Sequence, residues 1–569
     1  MNTKTKSLDA VESIKNKSNY LRGNIANGLK QDITGSLDAD DTQLTKFHGI
    51  YQQLDRDTQV ARRKRMLEPI YSFMIRARVA GGICTPKQWL VMDELASQYG
   101  NNSIRLTTRQ AFQLHGVLKK NLKSTIASIN QSLLDTIAAC GDVNRNVMCT
   151  PNPDTSMAHE SVAEAARNIS QHLTPNTTAY HEIWLDKKKH VSSVDHEPIY
   201  GKTYLPRKFK IVLAIPPSND VDIFAHDLGF IAIIINQKLL GFNVTVGGGM
   251  GCTHGDKSTY PLLSQVIGFC KPDQVTEVAE HVVKIQRDFG ERTNRKRARF
   301  KYTIDSQGID WFKTELNNRL GWNLNHEKPY SFSSRGDQFG WSKNYDNTEN
   351  LTLFIENGRV IDKKSKKIKT ALKEIALLNI GEFRITANQN LILAKLDTQY
   401  KKSILDVLNK HNVISPQSKL KDNAMACVAF PTCSLAMAEA ERYLPELIDK
   451  IEQLQNKHNI LDRAIVIRMT GCPNGCARPF NAEIGLVGKG PGKYNLYLGG
   501  SFIGNRLNNL YKENINEESI LVELDHIFKD FSLNAIEKEK FGDFVIRSEY
   551  VNNITHGSQV HELKIELRI

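Results

Sequence analysis

Four cysteines in two short clusters have the clearest chemical spacing in this sequence. Cys427 and Cys433 form a C-x5-C pair, Cys472 and Cys476 form a C-x3-C pair, and thirty-eight residues separate the pairs. Four thiolates on two loops are the ligands that a [4Fe–4S] cluster requires. Structural zinc also binds thiolates, but its paired cysteines are usually two to four residues apart, which does not fit C-x5-C. The spacing therefore favours an iron–sulfur cluster over zinc.

The remaining cysteines are isolated, and we interpret them as small buried apolar residues. They are Cys84, Cys140, Cys149, Cys252 and Cys270. A total of nine cysteines does not suit a disulfide framework. The N-terminus resembles neither a secretory signal nor a transit peptide, and no apolar run approaches the length of a membrane-spanning helix. We therefore expect a cytoplasmic protein with reduced thiols.

The charge balance restricts the possible functions. The 569 residues include 75 Lys and Arg against 62 Asp and Glu, a net charge of +13. Such a protein could bind nucleic acid or act on small anions. Lys208 and Lys210 alternate on a strand, at the start of the predicted segment 209–215, so both side chains should point to the same side. Two like charges directed together suggest an anion between them, and an exposed strand face is the alternative.

Helical and strand patterns alternate along the chain. Helices are predicted at 160–171, 272–287 and 434–455, and strands at 209–215, 242–246 and 464–469. Residues 1–60 are polar and only weakly periodic, which indicates a loose arm that could dock a partner. The mixture predicts an α/β or α+β architecture.

Two segments of the chain occur twice, in the same order. Residues 103–110 resemble 382–389, each after a predicted helix, and 241–248 resemble 493–500. This order predicts two fused, diverged halves around a pseudo-two-fold axis, with a ligand site between them. Chance similarity between strand-rich segments is the alternative.

From about Tyr71 onward the chain resembles the siroheme-containing sulfite and nitrite reductase hemoprotein family, and most closely its assimilatory NADPH-dependent sulfite reductases. The segment Thr470–Cys476, together with the C-x5-C pair, carries the resemblance. Supporting segments are 73–76, 108–110, 144–146, 204–210 and 387–390. The resemblance implies a three-domain α/β (α+β) siroheme reductase fold with internal pseudo-two-fold duplication.

The domains implied by this fold follow the repeats. Residues 1–60 would be the polar arm, and 61–137 with 340–414 a ferredoxin-like pair forming domain 1. Residues 138–339 would be domain 2, the first siroheme-reductase half. Residues 415–569 would be domain 3, with the iron–sulfur cluster.

The resemblance further implies siroheme coupled to one [4Fe–4S] cluster. The cluster ligands would be Cys427, Cys433, Cys472 and Cys476, with Cys476 bridging to the siroheme iron. The substrate-side cations would be Arg76, Arg145, Lys208 and Lys210. Residues near the siroheme or its carboxylates would be Arg109, Gln113, His115, Arg207, Arg299, Gln389 and Asn474. Arginine and lysine suit such a cofactor because they bind carboxylates through charge-assisted hydrogen bonds.

The activity implied is the six-electron reduction of sulfite to sulfide, in assimilatory sulfur metabolism and cysteine biosynthesis. Arg76 and Arg145 would bind the oxyanion, while Lys208 and Lys210 would organise or deliver protons. A siroheme nitrite reductase that forms ammonia is the close alternative. A zinc-stabilised nucleic-acid-binding protein and a simple iron–sulfur electron carrier are more distant ones.

Electrons must come from another protein, because no glycine-rich dinucleotide fingerprint follows a strand. The resemblance implies a flavoprotein (alpha) component that takes electrons from NADPH. We expect neither a nucleic acid nor a membrane as a partner.

Overall fold

The structure is a computed structural model that describes residues 7–187, 196–413 and 418–564. Within these ranges the strands form four five-stranded sheets. We name the sheets A, A′, B and B′, because A resembles A′ and B resembles B′ in topology. The predicted mixed α/β architecture and the internal duplication are both confirmed.

Sheets A and A′ repeat one antiparallel pattern. Sheet A has the order β1 (Ile50–Leu54), β2 (Tyr71–Ala77), β5 (Phe112–Val117), β4 (Ile104–Leu106) and β13 (Arg359–Val360). Sheet A′ has the order β11 (Gly340–Lys343), β12 (Glu349–Leu353), β15 (Leu391–Leu396), β14 (Glu382–Ile385) and β3 (Ile83–Cys84). The last strand of each sheet comes from the other half of the chain, so the two sheets are held together by exchange of one short strand.

The exchange depends on glycine at two equivalent turns. Gly82 and Gly358 have φ values of 77° and 73°, in the region that favours glycine. A Cβ atom at Gly82 would lie 2.5 Å from the carbonyl oxygen of Ile385, and one at Gly358 would lie 2.2 Å from that of Leu106. Neither turn can therefore carry a larger residue without moving the opposite repeat.

Sheets B and B′ each combine parallel and antiparallel pairs. Sheet B has the order β10 (Gln265–Cys270), β9 (Lys238–Val246), β8 (Leu228–Ile235), β7 (Ile211–Ala214) and β6 (Met148–Cys149). Sheet B′ has the order β16 (Ala424–Ala426), β17 (Ile467–Thr470), β18 (Ile484–Gly490), β19 (Lys493–Leu498) and β20 (Asn509–Ile515). In each sheet the first three strands along the chain are parallel and the next two pairings are antiparallel.

Helices cover the apolar faces of the sheets. The longer ones are Ala10–Lys17, Arg56–Lys64, Pro86–Gln98, Leu122–Gln131, Ala158–His172, Val275–Phe289, Phe300–Gln307, Ile309–Leu320, Ile368–Leu377, Lys401–Lys410, Leu444–Lys457 and Glu517–Asn534. Shorter helices are Ile25–Gly28, Ala39–Leu44, Ala179–Leu185, Lys419–Asp422 and Phe541–Arg547. The core of sheet B′ is a separate cluster from the one that joins A, A′ and B. No helix of the described residues is both long and apolar enough to cross a membrane.

The prediction of a loose arm over residues 1–60 is wrong for residues 7–60. Leu21, Ile25 and Phe47 are buried in the core, and β1 is the edge strand of sheet A. Lys15 is fully buried and donates to the carbonyl oxygen of Leu205 at 2.7 Å. The segment looks polar in sequence because its apolar residues are single and widely spaced, but several of them, such as Leu21, Ile25 and Phe47, enter the core.

The helix predicted at 434–455 is shorter in the structure. It begins at Leu444, with Pro445 in its first turn, where proline is well tolerated. The backbone N–H groups of Met437 and Ala438 donate to the carbonyl oxygen of Gly471 at 2.8 and 3.1 Å. Residues 434–443 are therefore a loop tied to the second cysteine pair. The predicted boundary between residues 414 and 415 lies outside the described residues.

Candidate active site

One face of sheet A is polar and lines the candidate site. In β2, Ile75 and Ala77 enter the core, so the side chain of Arg76 between them projects from the opposite face. Arg76 is paired across the sheet with Gln113 of β5. The side-chain oxygen of Gln113 accepts from Nη2 of Arg76 at 2.5 Å. His115 lies on the same face, and burial holds its pKa well below the usual value, so the ring is neutral.

A second guanidinium group lies beside Arg76. Nη1 of Arg76 and Nη1 of Arg145 both donate to the carbonyl oxygen of Ala139, at 3.4 and 3.3 Å. Arg76 also donates to Sγ of Cys140 at 3.2 Å. The sequence predicts that Cys140 is a small buried apolar residue. It is buried, but its thiol also contacts Arg76, a candidate substrate-side residue.

Lys208 and Lys210 project together, as their alternation predicts. Phe209 between them is fully buried and forms a bridge with Asn144, whereas both lysines are half-buried. Burial, with Arg299 as the next cause, lowers the pKa of Lys208 to about 7. Burial and the charge of Lys208 hold the pKa of Lys210 well below its usual value. Within the described residues neither lysine forms an ion pair with a carboxylate, so the two charges lack a protein counter-ion.

Three more arginines surround the lysines. Arg299 pairs with Asp227 at 3.0 Å, and Arg207 lies 4.0 Å from Asp142. Arg109 donates to the backbone carbonyl of Asn146. Burial lowers the pKa of Arg109 to about 9 and that of Arg207 to about 10, and the neighbouring arginines act in the same direction. Arg109 and Arg207 remain protonated at neutral pH, and seven basic side chains share this region.

Several buried polar atoms in this region have no hydrogen-bond partner among the residues that the structure describes. They are Nε of Arg109, Nε of Arg299, Oε1 of Gln389 and Oδ1 of Asn144. Buried donors and acceptors of this kind are costly unless a ligand binds them. Unpartnered guanidinium N–H groups among excess positive charge fit a cofactor with several carboxylates. Gln389 lies in the second half, in the turn beside Gly358.

The four motif cysteines come from two loops of sheet B′. Cys427 follows β16, and Cys472 follows β17, which is the parallel neighbour of β16. Because parallel strands end at the same edge, their following loops meet there. Charge on Cys433, Cys472 and Cys476 each contributes to raising the pKa of Cys427, after burial as the main cause. The four thiols therefore form one electrostatic group.

The surroundings of these thiols suit a large cluster. The backbone N–H of Gly471 donates to Sγ of Cys427 at 3.3 Å, and the side-chain amide of Asn474 donates to Sγ of Cys472 at 3.4 Å. In the described residues no three His, Cys, Asp or Glu side chains are arranged around a single metal ion. One zinc ion would require the sulfurs to converge within about 4 Å of each other, since each Zn–S bond is about 2.3 Å. No three of the described cysteines meet this requirement.

Cys476 connects the thiol group with the cations. It is the only exposed member of the four cysteines, and its charge acts on the pKa of Lys208. Its carbonyl oxygen accepts from Oγ1 of Thr108 at 3.1 Å, next to Arg109. This position is the one expected for a ligand shared between the cluster and a second cofactor.

A buried ion-pair group fixes the loop that carries Cys476, and no motif in the sequence indicates it. Asp222 accepts from Arg335, Arg468 and Arg478, and these positive charges hold its pKa well below the usual value despite burial. Arg478 also donates to the carbonyl oxygens of Thr108 and Ala387, at 3.2 and 2.8 Å. The group therefore joins sheets A, A′, B and B′ at the centre of the molecule.

Comparisons with known proteins agree with this architecture. Residues 69–132 match the nitrite/sulfite reductase ferredoxin-like half domain, and residues 164–324 match the nitrite and sulphite reductase 4Fe-4S domain. The second match covers sheet B, which lacks the four motif cysteines. Sheet B′ has the same topology and carries them, so the match describes one copy of a duplicated unit.

Similar proteins cover nearly the full chain. A protein of Oceanobacillus iheyensis named sulfite reductase [NADPH] hemoprotein beta-component is 59% identical, over 99% of this chain and 98% of its own. A protein of the same name from Staphylococcus saprophyticus is 53% identical, over 97% and 98%. The Mycobacterium tuberculosis NirA structure has a TM-score of 0.76, with 95% of this chain and 97% of that chain covered; at 23% identity it shows the fold alone. The chain belongs to the nitrite and sulfite reductase family, among its NADPH-sulfite reductase hemoprotein beta-components.

Proposed function

We propose that this chain reduces sulfite to sulfide as the hemoprotein component of an NADPH-dependent sulfite reductase. The observation that carries the proposal is the convergence of Arg76, Arg145, Lys208 and Lys210 next to Cys476. Such a group of cations without protein counter-ions is suited to a small, doubly charged oxyanion. The printed names of the similar proteins favour sulfite over nitrite.

The proposed cofactors fit the residues present. Cys427, Cys433, Cys472 and Cys476 would hold a [4Fe–4S] cluster, with Cys476 shared with the iron of siroheme. The carboxylates of siroheme would bind to Arg109, Arg207 and Arg299. Nearby polar contacts would come from Gln113, His115, Gln389 and Asn474. When bound, these groups supply electrons and an iron that accepts the substrate.

The side chains divide the remaining tasks by their chemistry. Arg76 and Arg145 are always protonated and would anchor the oxygens of sulfite. Lys208 and Lys210 have lowered pKa values because they are buried among cations. Each can therefore donate a proton to an oxygen that leaves as water and regain one through solvent. In this proposal the lysines deliver protons and the arginines orient the sulfite.

Anaerobically purified protein provides the test of this proposal. Its visible spectrum and iron content should show siroheme and four cluster irons, and reduced methyl viologen should support sulfite turnover with a higher kcat/KM than nitrite turnover. A higher kcat/KM for nitrite would show that nitrite, and not sulfite, is the preferred substrate. A colourless, iron-free protein after reconstitution would contradict both and revive the zinc alternative.

We also propose that the helix Arg56–Lys64 and the turn after it receive the flavoprotein component. Nη1 of Arg56 donates to the carbonyl oxygens of Cys433 and Ala436 at 3.1 and 2.7 Å, so the helix begins against the cluster loop. Its other end is basic, with Arg63 and Lys64 exposed, and exposed Met66 follows it at 96% accessibility. An acidic electron-transfer protein that docks here would lie close to the cluster.

Charge reversal tests the docking surface without disturbing the fold. Deletion of residues 1–60 is unsuitable because it would remove Leu21, Ile25 and Phe47 from the core and β1 from sheet A. The double variant Arg63→Glu, Lys64→Glu should lose about 10-fold or more of NADPH-driven turnover at low salt while dye-driven turnover stays unchanged. The matched control Lys364→Glu, Lys367→Glu reverses two exposed charges elsewhere and should change neither activity. Equal loss of both activities in the first variant would contradict the proposal.

A further inference from the structure

His226 lies beside Arg109, one of the arginines of the candidate site, and both side chains are buried. It comes directly after a short 3₁₀ helix, Ile223–Ala225, and two residues before β8. Nη1 of Arg109 lies 3.4 Å from Nδ1 of His226, and Nε2 of His226 lies 3.1 Å from the carbonyl oxygen of Val221. The ring is therefore held between a guanidinium group and a backbone carbonyl.

These two contacts determine which ring nitrogen of His226 carries the proton. A carbonyl oxygen can only accept, so Nε2 carries the hydrogen and donates it. A guanidinium group can only donate, so Nδ1 is the bare nitrogen and accepts from Arg109. Burial and the charge of Arg109 hold the pKa of His226 well below its usual value, in agreement with a neutral ring. His226 therefore fixes one end of the guanidinium group and adds no charge to it.

The other end of this guanidinium group is held by the backbone. Nη2 of Arg109 donates to the carbonyl oxygens of Asn146 and Ile211, the second at 3.4 Å. Nε of Arg109 is buried and has no hydrogen-bond partner among the described residues, so this N–H points in one fixed direction. Arg299 is held differently, because its Nη2 donates to both carboxylate oxygens of Asp227, at 3.1 and 3.0 Å. That carboxylate offsets the charge of Arg299, whereas the ring of His226 leaves the charge of Arg109 intact.

The equivalent position in sheet B′ does not carry a ring. The carbonyl oxygens of Asp227 and Glu483 each accept from a glycine N–H directly after the neighbouring strand, at 3.0 and 3.1 Å. Asp227 and Glu483 are thus equivalent, which makes Ala482 the counterpart of His226. The shared backbone therefore does not require histidine, and the ring belongs to the half that carries the lysines.

We propose that His226 is a positioning residue, which orients Arg109 without offsetting its charge, so that the free N–H of Arg109 donates to a carboxylate of siroheme. The proposal rests on the proposed function and extends it to a residue that acts through Arg109. An aspartate at this position would also hold the guanidinium group, but its negative charge would compete with the carboxylates of the cofactor. A neutral acceptor leaves the whole positive charge for that interaction.

Siroheme binding tests this role in the full-length chain, produced without siroheme and titrated with it while visible absorption is recorded. His226→Leu removes the acceptor, and we expect the dissociation constant of siroheme to rise about 10-fold, the usual order for loss of a hydrogen bond to a charged group. His226→Asn places an acceptor oxygen near the position of Nδ1 and should keep the affinity within about twofold of the wild type. His226→Asp adds a negative charge beside Arg109 and should weaken binding about 10-fold.

His48→Leu is the matched control, because the buried ring of His48 has the same pair of contacts. Its Nε2 lies 3.0 Å from the carbonyl oxygen of Leu21, and its Nδ1 accepts from Nε1 of Trp184 at 3.0 Å. This variant should lower the thermal unfolding midpoint of the siroheme-free protein and leave the siroheme affinity unchanged.

Unchanged siroheme affinity in His226→Leu would overturn the proposal. Equal affinities in His226→Asn and His226→Asp would overturn it too, and this comparison decides the question if the leucine variant does not fold. A loss in His48→Leu as large as that in His226→Leu would assign the effect to general stability and would also contradict a positioning role. Failure of the wild-type chain to bind siroheme would instead contradict the proposed function, so the two failures are distinguishable.

Discussion

The two halves of the molecule repeat the same sheets but carry different chemistry. In sheet A the polar pair Arg76 and Gln113 lies beside the pair Ala77 and Phe112. In sheet A′ the equivalent position, beside Leu353 and Leu391, holds Thr352 and Ile392. One copy of the scaffold therefore supplies charged groups, and the other has become apolar at the same place.

Sheets B and B′ also differ in chemistry, with the lysines beside B and the cysteines beside B′. The carbonyl oxygen of Lys210 accepts from the N–H of Leu228 at 3.1 Å, and that of Val466 accepts from the N–H of Ile484 at 3.0 Å. Lys210 and Val466 are thus equivalent, and only the first is charged. The cysteine loops follow strands of B′, whereas the first half has no such pairs. We infer that duplication produced two copies of one scaffold and that each copy retained half of a single site.

Replacement of one of the four motif cysteines should have the largest effect. Cys476→Ser should reduce sulfite turnover by more than the 10–100-fold that is typical when an outer-shell partner of a metal ligand is lost. Iron content and the visible spectrum should change as well, because a shared ligand is removed. Cys270→Ala, at a buried cysteine of sheet B, is the control and should keep its iron. Wild-type turnover in Cys476→Ser would contradict the assignment.

Loss of one cation should leave the cofactors in place. Lys210→Val gives sheet B the residue of sheet B′, and we expect sulfite turnover to fall about 100-fold, the usual cost of losing one preorganised electrostatic group. Iron content and spectrum should match the wild type. Val466→Ala alters the equivalent position of B′ and should lower stability without this loss of turnover. Full activity in Lys210→Val would remove the lysine from the site.

The N-terminal segment, whose His48 packs on the first half, should produce a pH-dependent stability. His48 is buried, accepts from Nε1 of Trp184 at 3.0 Å, and burial lowers its pKa to about 4. The folded protein holds the neutral ring, whereas the unfolded chain binds a proton below about pH 6.5. The free energy of unfolding should therefore fall by about 3 kcal/mol as the pH drops from 6.5 to 4.

Urea unfolding at several pH values measures this effect. His48→Gln should remove most of the dependence of the unfolding free energy on pH that we attribute to the ring. His254→Gln, at an exposed position, should retain that dependence. An identical slope in wild type and His48→Gln would show that the segment is not part of the cooperative core.

The duplication and the two motif cysteine pairs could be predicted because they depend on local sequence. Repeated segments keep their strand patterns, and within each pair the two cysteines lie only a few residues apart. The alternation of Lys208 and Lys210 around Phe209 could also be predicted from local sequence. These features need no knowledge of long-range contacts.

The remaining parts depend on contacts between distant segments. The exchange of β3 and β13 joins residues far apart in the chain, and two-residue strands leave no pattern. The contact between Arg76 and Cys140 arises only when the loop before Arg145 meets β2. Asp222 was missed because a single aspartate gives no sign that three arginines will surround it.

The electron stoichiometry of the wild-type protein tests the central claim most directly. Sulfur passes from +4 to −2, so a site that holds the anion until reduction is complete should release one sulfide for every six electrons taken from reduced methyl viologen. We predict this ratio, with no partly reduced sulfur species in solution. Electrons consumed without sulfide, or release of partly reduced products, would contradict a single site built from both halves.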